Sequence, residues 1–565
     1  MMRKEIIKEY VASLKEDSEL DYIFPLLLER MGFRILSTPK QSKGQSQYGR
    51  DVVAVKKFNG QPTLFLFELK GFRAHDINDR NLNEKDGLIE SLRASKYTKY
   101  TDVSIPNLDK YPRRYVFVHN GTLDENTRPT FEGFINEEFP NENFERWDIY
   151  KLTDLFSRFL FDETLLTDED SYKLLKRALV LLDSEGNDYN DIVQLVDLQV
   201  SKIESKNLTK RTETNFFATI RLIGAMVYYY SMQADNLYPA KYCMDTIVIK
   251  AWAWILRNKL EKKKRIIALF RPLVIQQLHV YEAYLNKILH VTGFKEGFYS
   301  FRPSDTEYVF YPLRCYDFLC DLMYFFFAIE SFGIKETDVK YYKSIVRDLV
   351  RNNSGFKMPL LDTHSIPIQL LFLYLVRDQE EDNAKCLASF TYETVINLIK
   401  QYQEKKMWPE MHGNRMALAR SIYKKSDDYC CESSLLVTTL FELISYMGLE
   451  PLYAKFKEVV EESKLNLQIA YPIQDEYDIE QCLFDHPLYE ELSVQTDVKM
   501  PKSVEEYRAN FYKPYNSMQY RTDAAGFYYL RILAHVYYQT DLFPDFLGRA
   551  YCKEIFTANE NTSCF

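Results

Sequence analysis

Between residues 20 and 33 the apolar positions fall at Leu20, Ile23, Phe24, Leu27, Leu28 and Met31. That recurrence lines one face of a helix, and Gly32 stands where a helix C-cap is expected. Pro25 interrupts the pattern and predicts a kink. A polar stretch leads on to two runs of another kind, DVVAV from Asp51 and TLFLFELKGF from Thr63, joined by KKFNGQP. Each is apolar on both faces, as strands inside a covered sheet are. The Asn59–Gly60 dipeptide between them signals a two-residue hairpin turn. A helical core at 85–97, a strand at 114–119, a helix at 130–138 and a closing segment at 146–155 follow. This order predicts an α/β sandwich built on a mixed sheet.

Near residue 165 the texture changes, and helical periodicity dominates to the end of the chain. Helices are expected at 172–182, 216–232, 246–259, 265–289, 316–332, 366–376, 434–447 and 528–537. Residues 183–191 read as a linker, and 466–520, richer in Pro, Asp and Tyr, as an irregular insertion. No fixed-period repeat supports a solenoid. The expected organisation is an α/β domain over 1–163, a helix and linker over 164–191, and a large all-α region over 192–565 with room for two subdomains.

Composition narrows the partners. The 565 residues carry a net charge of −9, which argues against coating nucleic acid by bulk electrostatics. A local basic strip around an acidic metal site remains compatible with it, and residues 1–163 are close to neutral. No apolar leader opens the chain and no stretch is long enough to span a bilayer, so a cytoplasmic protein without membrane contact is expected. Nine cysteines without CxxC spacing suggest reduced thiols rather than a disulfide framework or zinc site. No Walker loop or G-x-S-x-G elbow is present.

The chemistry concentrates at the hairpin. With Asn59–Gly60 as the turn, residues whose numbers sum to 119 face each other, which makes Asp51 and Glu68 cross-strand partners. Such Cβ atoms lie roughly 4.5–5.5 Å apart, and Lys70 points to the same face by strand alternation. Two acids so close repel unless neutralised. A hard divalent cation, Mg²⁺ or Mn²⁺, does so while leaving positions open for a phosphate. Lys70 beside it can orient a water and offset negative charge. The plainer reading is a diagonal Asp51–Lys70 ion pair with Glu68 solvated. E-x-K recurs at Glu204–Lys206, Glu261–Lys263 and Glu462–Lys464 in helical or polar settings; only Glu68–Lys70 ends an apolar β run with an acid across a turn.

The run from Leu20 to Phe33, the Tyr48-Gly49-Arg50-Asp51 strand start and the Phe67-Glu68-Leu69-Lys70 strand end resemble the PD-(D/E)XK superfamily, most of all its restriction-endonuclease-like, Mrr-type branch. The resemblance covers residues 1–163. It implies a restriction-endonuclease-like fold and metal-dependent cleavage of DNA phosphodiesters, with Asp51 and Glu68 as metal ligands and Lys70 catalytic. Asp21 falls where the family carries a helix-borne acid, usually Glu, and is implied as a further ligand. Glu68 stands where Mrr-type members often have Gln. Arg73, Arg80, Arg93 and Lys96 are candidate phosphate contacts, and His75 a candidate catalytic aid, although loop histidines and scattered basic residues are more often simply solvated. His119 reads as structural, and the basic run 257–265 as a solvated helix end. By family analogy such a nuclease with a large helical region would serve restriction or anti-phage defence, the helices sensing, targeting or oligomerising with a protein partner. The alternatives are an inactive nucleic-acid-binding scaffold, or a nuclease subunit needing a separate ATPase.

Overall fold

The computed structural model describes residues 2–539 except 40–47, 72–76, 85–86, 103–104, 141–142, 185, 301–305, 377–379, 412, 416–417, 419–431, 473–478, 486–492 and 512–519. It divides into two compact units, residues 1–247 and 248–565.

The first unit is organised by the expected hairpin. Strands β2 (Val52–Phe58) and β3 (Gln61–Lys70) pair antiparallel from Val52 opposite Phe67 to Phe58 opposite Gln61, so the facing numbers do sum to 119. Asn59 and Gly60 both take positive φ, +48° and +82°, as a type I′ turn requires. Strand β1 (Arg34–Ser37) pairs antiparallel with β2. Strands β4 (Arg113–His119) and β5 (Phe144–Trp147) join in parallel on the far side of β3. The result is a five-stranded mixed sheet in the order β1-β2-β3-β4-β5.

Alternation along β3 feeds both faces. Leu64 and Leu66, with Val53 and Phe117, pack against Leu82 of α3 (Asp79–Asn83), Leu88 and Leu92 of α4 (Leu88–Tyr97) and Phe131 and Phe134 of α5 (Arg128–Glu138). Phe65 and Phe67 line the opposite face. There the Phe67 ring centroid lies 5.3 Å from that of Phe24 and 5.5 Å from that of Trp147, while Phe33 lies 5.0 Å from Phe65. Edge-to-face pairs of this kind add about 0.5–1.5 kcal/mol each beyond area burial.

Phe24 belongs to α2 (Asp21–Arg30), which runs through Pro25. The break in the helical path lies ahead of the proline, where Asp17 is extended and Ser18 is left-handed at φ +70°. At the other end Gly32 takes φ +84°. Its N–H bonds Glu29 O (2.9 Å) and that of Phe33 bonds Leu28 O (3.0 Å), the paired closure of a Schellman cap.

The first unit continues well past residue 163. Helices α6 (Ile149–Phe159), α7 (Glu169–Val180), α8 (Asn190–Glu204) and α9 (Lys210–Gln233) belong to it. Helix α9 is tied to α1 (Met2–Ser13) and the residue after it. Arg221 pairs with Glu9, Arg211 donates to Leu14 O (2.9 Å) and Asn215 donates to Ser13 Oγ (3.2 Å). Helix α8 begins at Asn190, at the end of the stretch read as a linker.

The second unit is mainly helical, with helices at Lys264–Thr292, Glu307–Glu330, Ser365–Val376, Leu435–Tyr446 and Tyr529–Tyr538 close to their expected positions. It is not all-α. Strands β6 (Ser433–Ser434), β7 (Asn466–Pro472) and β8 (Ser493–Val498) form a small sheet partly inside the expected irregular insertion. NLQIAYP alternates polar and apolar residues only over its first four positions and SVQTDV does not alternate, and each strand completes its hydrogen bonding on a neighbour distant in sequence. The five described cysteines are buried, and among the described residues no helix is long and apolar enough to cross a membrane.

Candidate active site

Strand β3 outruns β2 at the end remote from the turn, leaving the Leu69 N–H beyond the regular ladder. The Asp51 carboxylate takes that donor: its Oδ2 accepts from Leu69 N at 2.7 Å, while the Asp51 N–H still reaches Phe67 O at 2.8 Å. Asp51 therefore sits one residue outside the strand as its cap, slightly displaced from the direct cross-strand position that a continued ladder gives.

The bend that frees it is set at Gly49. This residue takes φ +68°, and a Cβ there would stand 1.8 Å from the Ser91 carbonyl oxygen of α4. Only glycine meets both conditions, so the Gly-x-Asp spacing has a direct physical cause. Arg50, between them, is buried and donates to Thr98 O at 3.1 Å.

Glu68 is 3% exposed and lies on the α4 side of the sheet with Leu64 and Leu66. Its Oε1 receives the Lys70 ammonium at 3.0 Å. A residue that sequence reasoning missed approaches from the other side: Glu16, in the irregular turn before α2, places Oε1 3.5 Å from Lys70 Nζ and accepts the Gly71 N–H on Oε2 at 2.7 Å. No periodic or motif signal marks Glu16, because it lies in a turn whose path depends on Ser18 and on a contact with residue 71. Asp21, at the start of α2, feels Glu16, Asp17, Lys70 and Glu68.

Burial first, then mutual repulsion, raises these acids. Asp51 is pushed up to about 8 by burial and Glu68, against the pull of Lys70 and the Leu69 N–H. Asp21 is pushed up to about 7 by burial, Glu16 and Asp17. Glu68 is raised by burial although Lys70 and the Ser91 hydroxyl oppose it. Burial alone would lower the Lys70 ammonium, but Glu68, Glu16 and Asp51 outweigh it and hold it above the ordinary lysine range.

The sequence-derived set Asp21, Asp51, Glu68 and Lys70 is thus brought together. Arg93 and Lys96 are not part of it: both are held by Glu138, at 2.9 Å each, because one turn of α4 faces the end of α5. Arg80 is exposed and lies 3.7 Å from Glu84. Arg73 and His75 lie outside the described residues. His119, opposite Lys70 in the β3–β4 register, is buried and stacked on Phe117 at 4.9 Å. Arg257, at the start of the basic run, pairs with Asp485 at 3.1 Å.

For a divalent cation the donor set fits in chemistry. Glu68 Oε2 and Asp21 Oδ1 are buried and accept no hydrogen bond among the described residues; hard carboxylate oxygens left in this way are what a hard cation requires. Among the described residues no three His, Cys, Asp or Glu side chains already stand in a ligating group. No family model, curated protein or solved structure matches the chain.

Proposed function

We propose that this chain is a metal-dependent deoxyribonuclease of the PD-(D/E)XK, restriction-endonuclease-like kind, hydrolysing DNA phosphodiester bonds. The observation that carries the reading is the pair of buried carboxylate oxygens, on Glu68 and Asp21, that have no donor among the described residues, beside Asp51 and the Lys70 ammonium. Raised acids packed against a lysine in a sheet end are a poor arrangement for stability alone and a suitable one for holding a cation. Asp51, Glu68 and Asp21 would hold Mg²⁺ or Mn²⁺, which supplies a Lewis acid for a scissile phosphate and makes a nearby water more acidic.

The remaining work falls to the chain itself. Lys70, charged throughout the neutral range, binds a phosphate oxygen, orients the attacking water through its N–H groups and offsets the charge that grows on the phosphate. The Leu69–Asp51 hydrogen bond fixes one acid to the strand that carries the other two residues, so the spacing is inherited from the sheet. The helical part would target or restrain cutting in defence against foreign DNA. One observation favours the alternative of a non-catalytic DNA-binding scaffold: Lys70 already neutralises Glu68 and Glu16 without a cation.

The deciding experiment incubates the full chain with supercoiled and linear DNA in Mg²⁺, Mn²⁺ or EDTA, beside Lys70→Ala. Cutting that needs the metal and falls by about 100-fold or more in the variant supports the nuclease; equal behaviour of the two proteins rejects it.

A further inference from the structure

We propose that Glu16 is a positioning residue for Lys70, a second anchor that holds its ammonium at the carboxylate cluster while Glu68 ligates a cation. The inference rests on the nuclease reading of that cluster and adds to it a residue outside the motif.

The ammonium stands between two unlike acids. Glu68, whose side chain is 4% exposed, lies 3.0 Å away, and Glu16, at 31%, lies 3.5 Å away. A cation held on Glu68 Oε2 draws on the charge of the same carboxylate that holds Lys70 on Oε1, and so weakens that ion pair. Glu16 is then the second partner that keeps a four-carbon side chain from relaxing into solvent, a freedom worth up to about 2 kcal/mol.

Glu16 is itself held by backbone. Its Oε2 takes the Gly71 N–H at 2.7 Å, next to the residue it anchors. The two segments touch so closely that a Cβ on Gly71 would stand 2.8 Å from Glu16 N and 3.0 Å from Glu16 Cβ.

The turn carrying Glu16 is fastened on both sides. Leu20 N–H bonds Lys15 O at 2.9 Å and Lys15 N–H bonds Glu19 Oε2 at 2.6 Å. Asn120, just past β4, donates to Val11 O (3.1 Å) and Leu14 O (3.0 Å), and Arg211 of α9 donates to Leu14 O (2.9 Å). A helix outside the α/β sheet thus helps to fix the segment that reaches Lys70. A half-exposed ion pair with no further task would contribute about 0–1 kcal/mol and would leave the chemistry of Lys70 unaltered.

The test uses the full chain with Glu16→Gln, which keeps an acceptor for Gly71 but removes the charge, and Gly71→Ala, which drives the turn away. Three quantities are read: the acylation rate of Lys70 by an amine-reactive ester without metal, mapped by peptide mass spectrometry; kcat and KM for Mg²⁺-dependent DNA cleavage; and Mn²⁺ affinity. Both variants should acylate Lys70 about threefold faster or more, because a side chain released from one anchor samples solvent and meets the reagent more often. In Glu16→Gln kcat should fall about tenfold or more with KM within about twofold, the sign of lost positioning. Its Mn²⁺ affinity should stay within about fivefold of the wild type, the change expected from one distant charge. Unchanged acylation and kcat would overturn the proposal. So would loss of Mn²⁺ binding by about 100-fold or more, which would make Glu16 a ligand. If the wild type never cuts DNA yet acylation shifts as expected, the Glu16–Lys70 anchor stands and the nuclease reading falls.

Discussion

Each unit of this protein buries an acid that ought to be uncomfortable, and the two have resolved the problem in opposite ways. Asp362, in the second unit, is raised to about 6 by burial. Yet both its oxygens are used: Oδ1 accepts from Ser434 Oγ (2.5 Å) and Leu436 N (3.0 Å), and Oδ2 from Leu435 N (2.9 Å). It caps the start of the helix Leu435–Tyr446, where anions belong. In the first unit the acids around Lys70 are raised further, Asp51 to about 8, and Glu68 Oε2 and Asp21 Oδ1 have no donor among the described residues. Burial and a raised pKa are common to both places. Vacant oxygens occur elsewhere, as on Glu261, so what sets the first-unit acids apart is that they are vacant, raised and gathered around one lysine.

The comparison fails or sharpens under substitution. Glu68→Gln should reduce Mg²⁺-dependent cleavage by about 100-fold or more while the fold persists, whereas folded Asp362→Asn should cut DNA at the wild-type rate. A gel assay under single-turnover conditions reads both. On stability the order reverses. Asp362→Ala strands three buried donors and should cost about 2–4 kcal/mol in urea denaturation, against a change within about 1 kcal/mol for Glu68→Gln without metal, since the lost Lys70 contact is offset by relief of burial.

Acidity supplies a third contrast. An acid whose folded pKa lies above its unfolded value binds protons better when folded, so stability is present at low pH and declines as pH rises from the unfolded to the folded value. For Asp51 that window runs from the ordinary carboxylate range, near 4, to about 8; for Asp362 it closes at about 6. Added Mg²⁺ should therefore raise Tm by more at about pH 8 than at about pH 6, and the increment should vanish in Asp51→Asn but persist in Asp362→Asn. An equal Mg²⁺ effect at both pH values would remove the titration argument. The smallest effect belongs to the basic pair held by Glu138. Arg93→Ala and Lys96→Ala should each shift stability by about 1 kcal/mol or less and leave DNA affinity in a filter-binding assay unchanged.

What the sequence revealed follows the range of its signals. The Asn59–Gly60 turn fixes a register by local geometry, so the pairing from Val52–Phe67 to Phe58–Gln61 was legible from spacing alone, whereas the displacement of Asp51 onto the Leu69 N–H was not. Helices of the second unit with strong apolar periodicity were legible too. Glu16 was not, because its place depends on a left-handed Ser18 and on a glycine 55 residues later. Nor was the pairing of Arg93 and Lys96 with Glu138, which joins residues more than 40 positions apart across two helices. The strands β6–β8 escaped because each is completed by a partner distant in the chain. The extent of the first unit, to residue 247, rests likewise on α9 reaching back to α1.

The central claim is that the acids beside Lys70 are kept short of donors so that a divalent cation can supply their charge balance. Calorimetric titration of the full chain with Mn²⁺ at about pH 8, where Asp51 is substantially ionised, tests it most directly. The account predicts one saturable site that disappears in Asp51→Asn and in Glu68→Gln and survives in Asp362→Asn. No saturable heat in the wild type, or binding that persists in both first-unit variants, would contradict it.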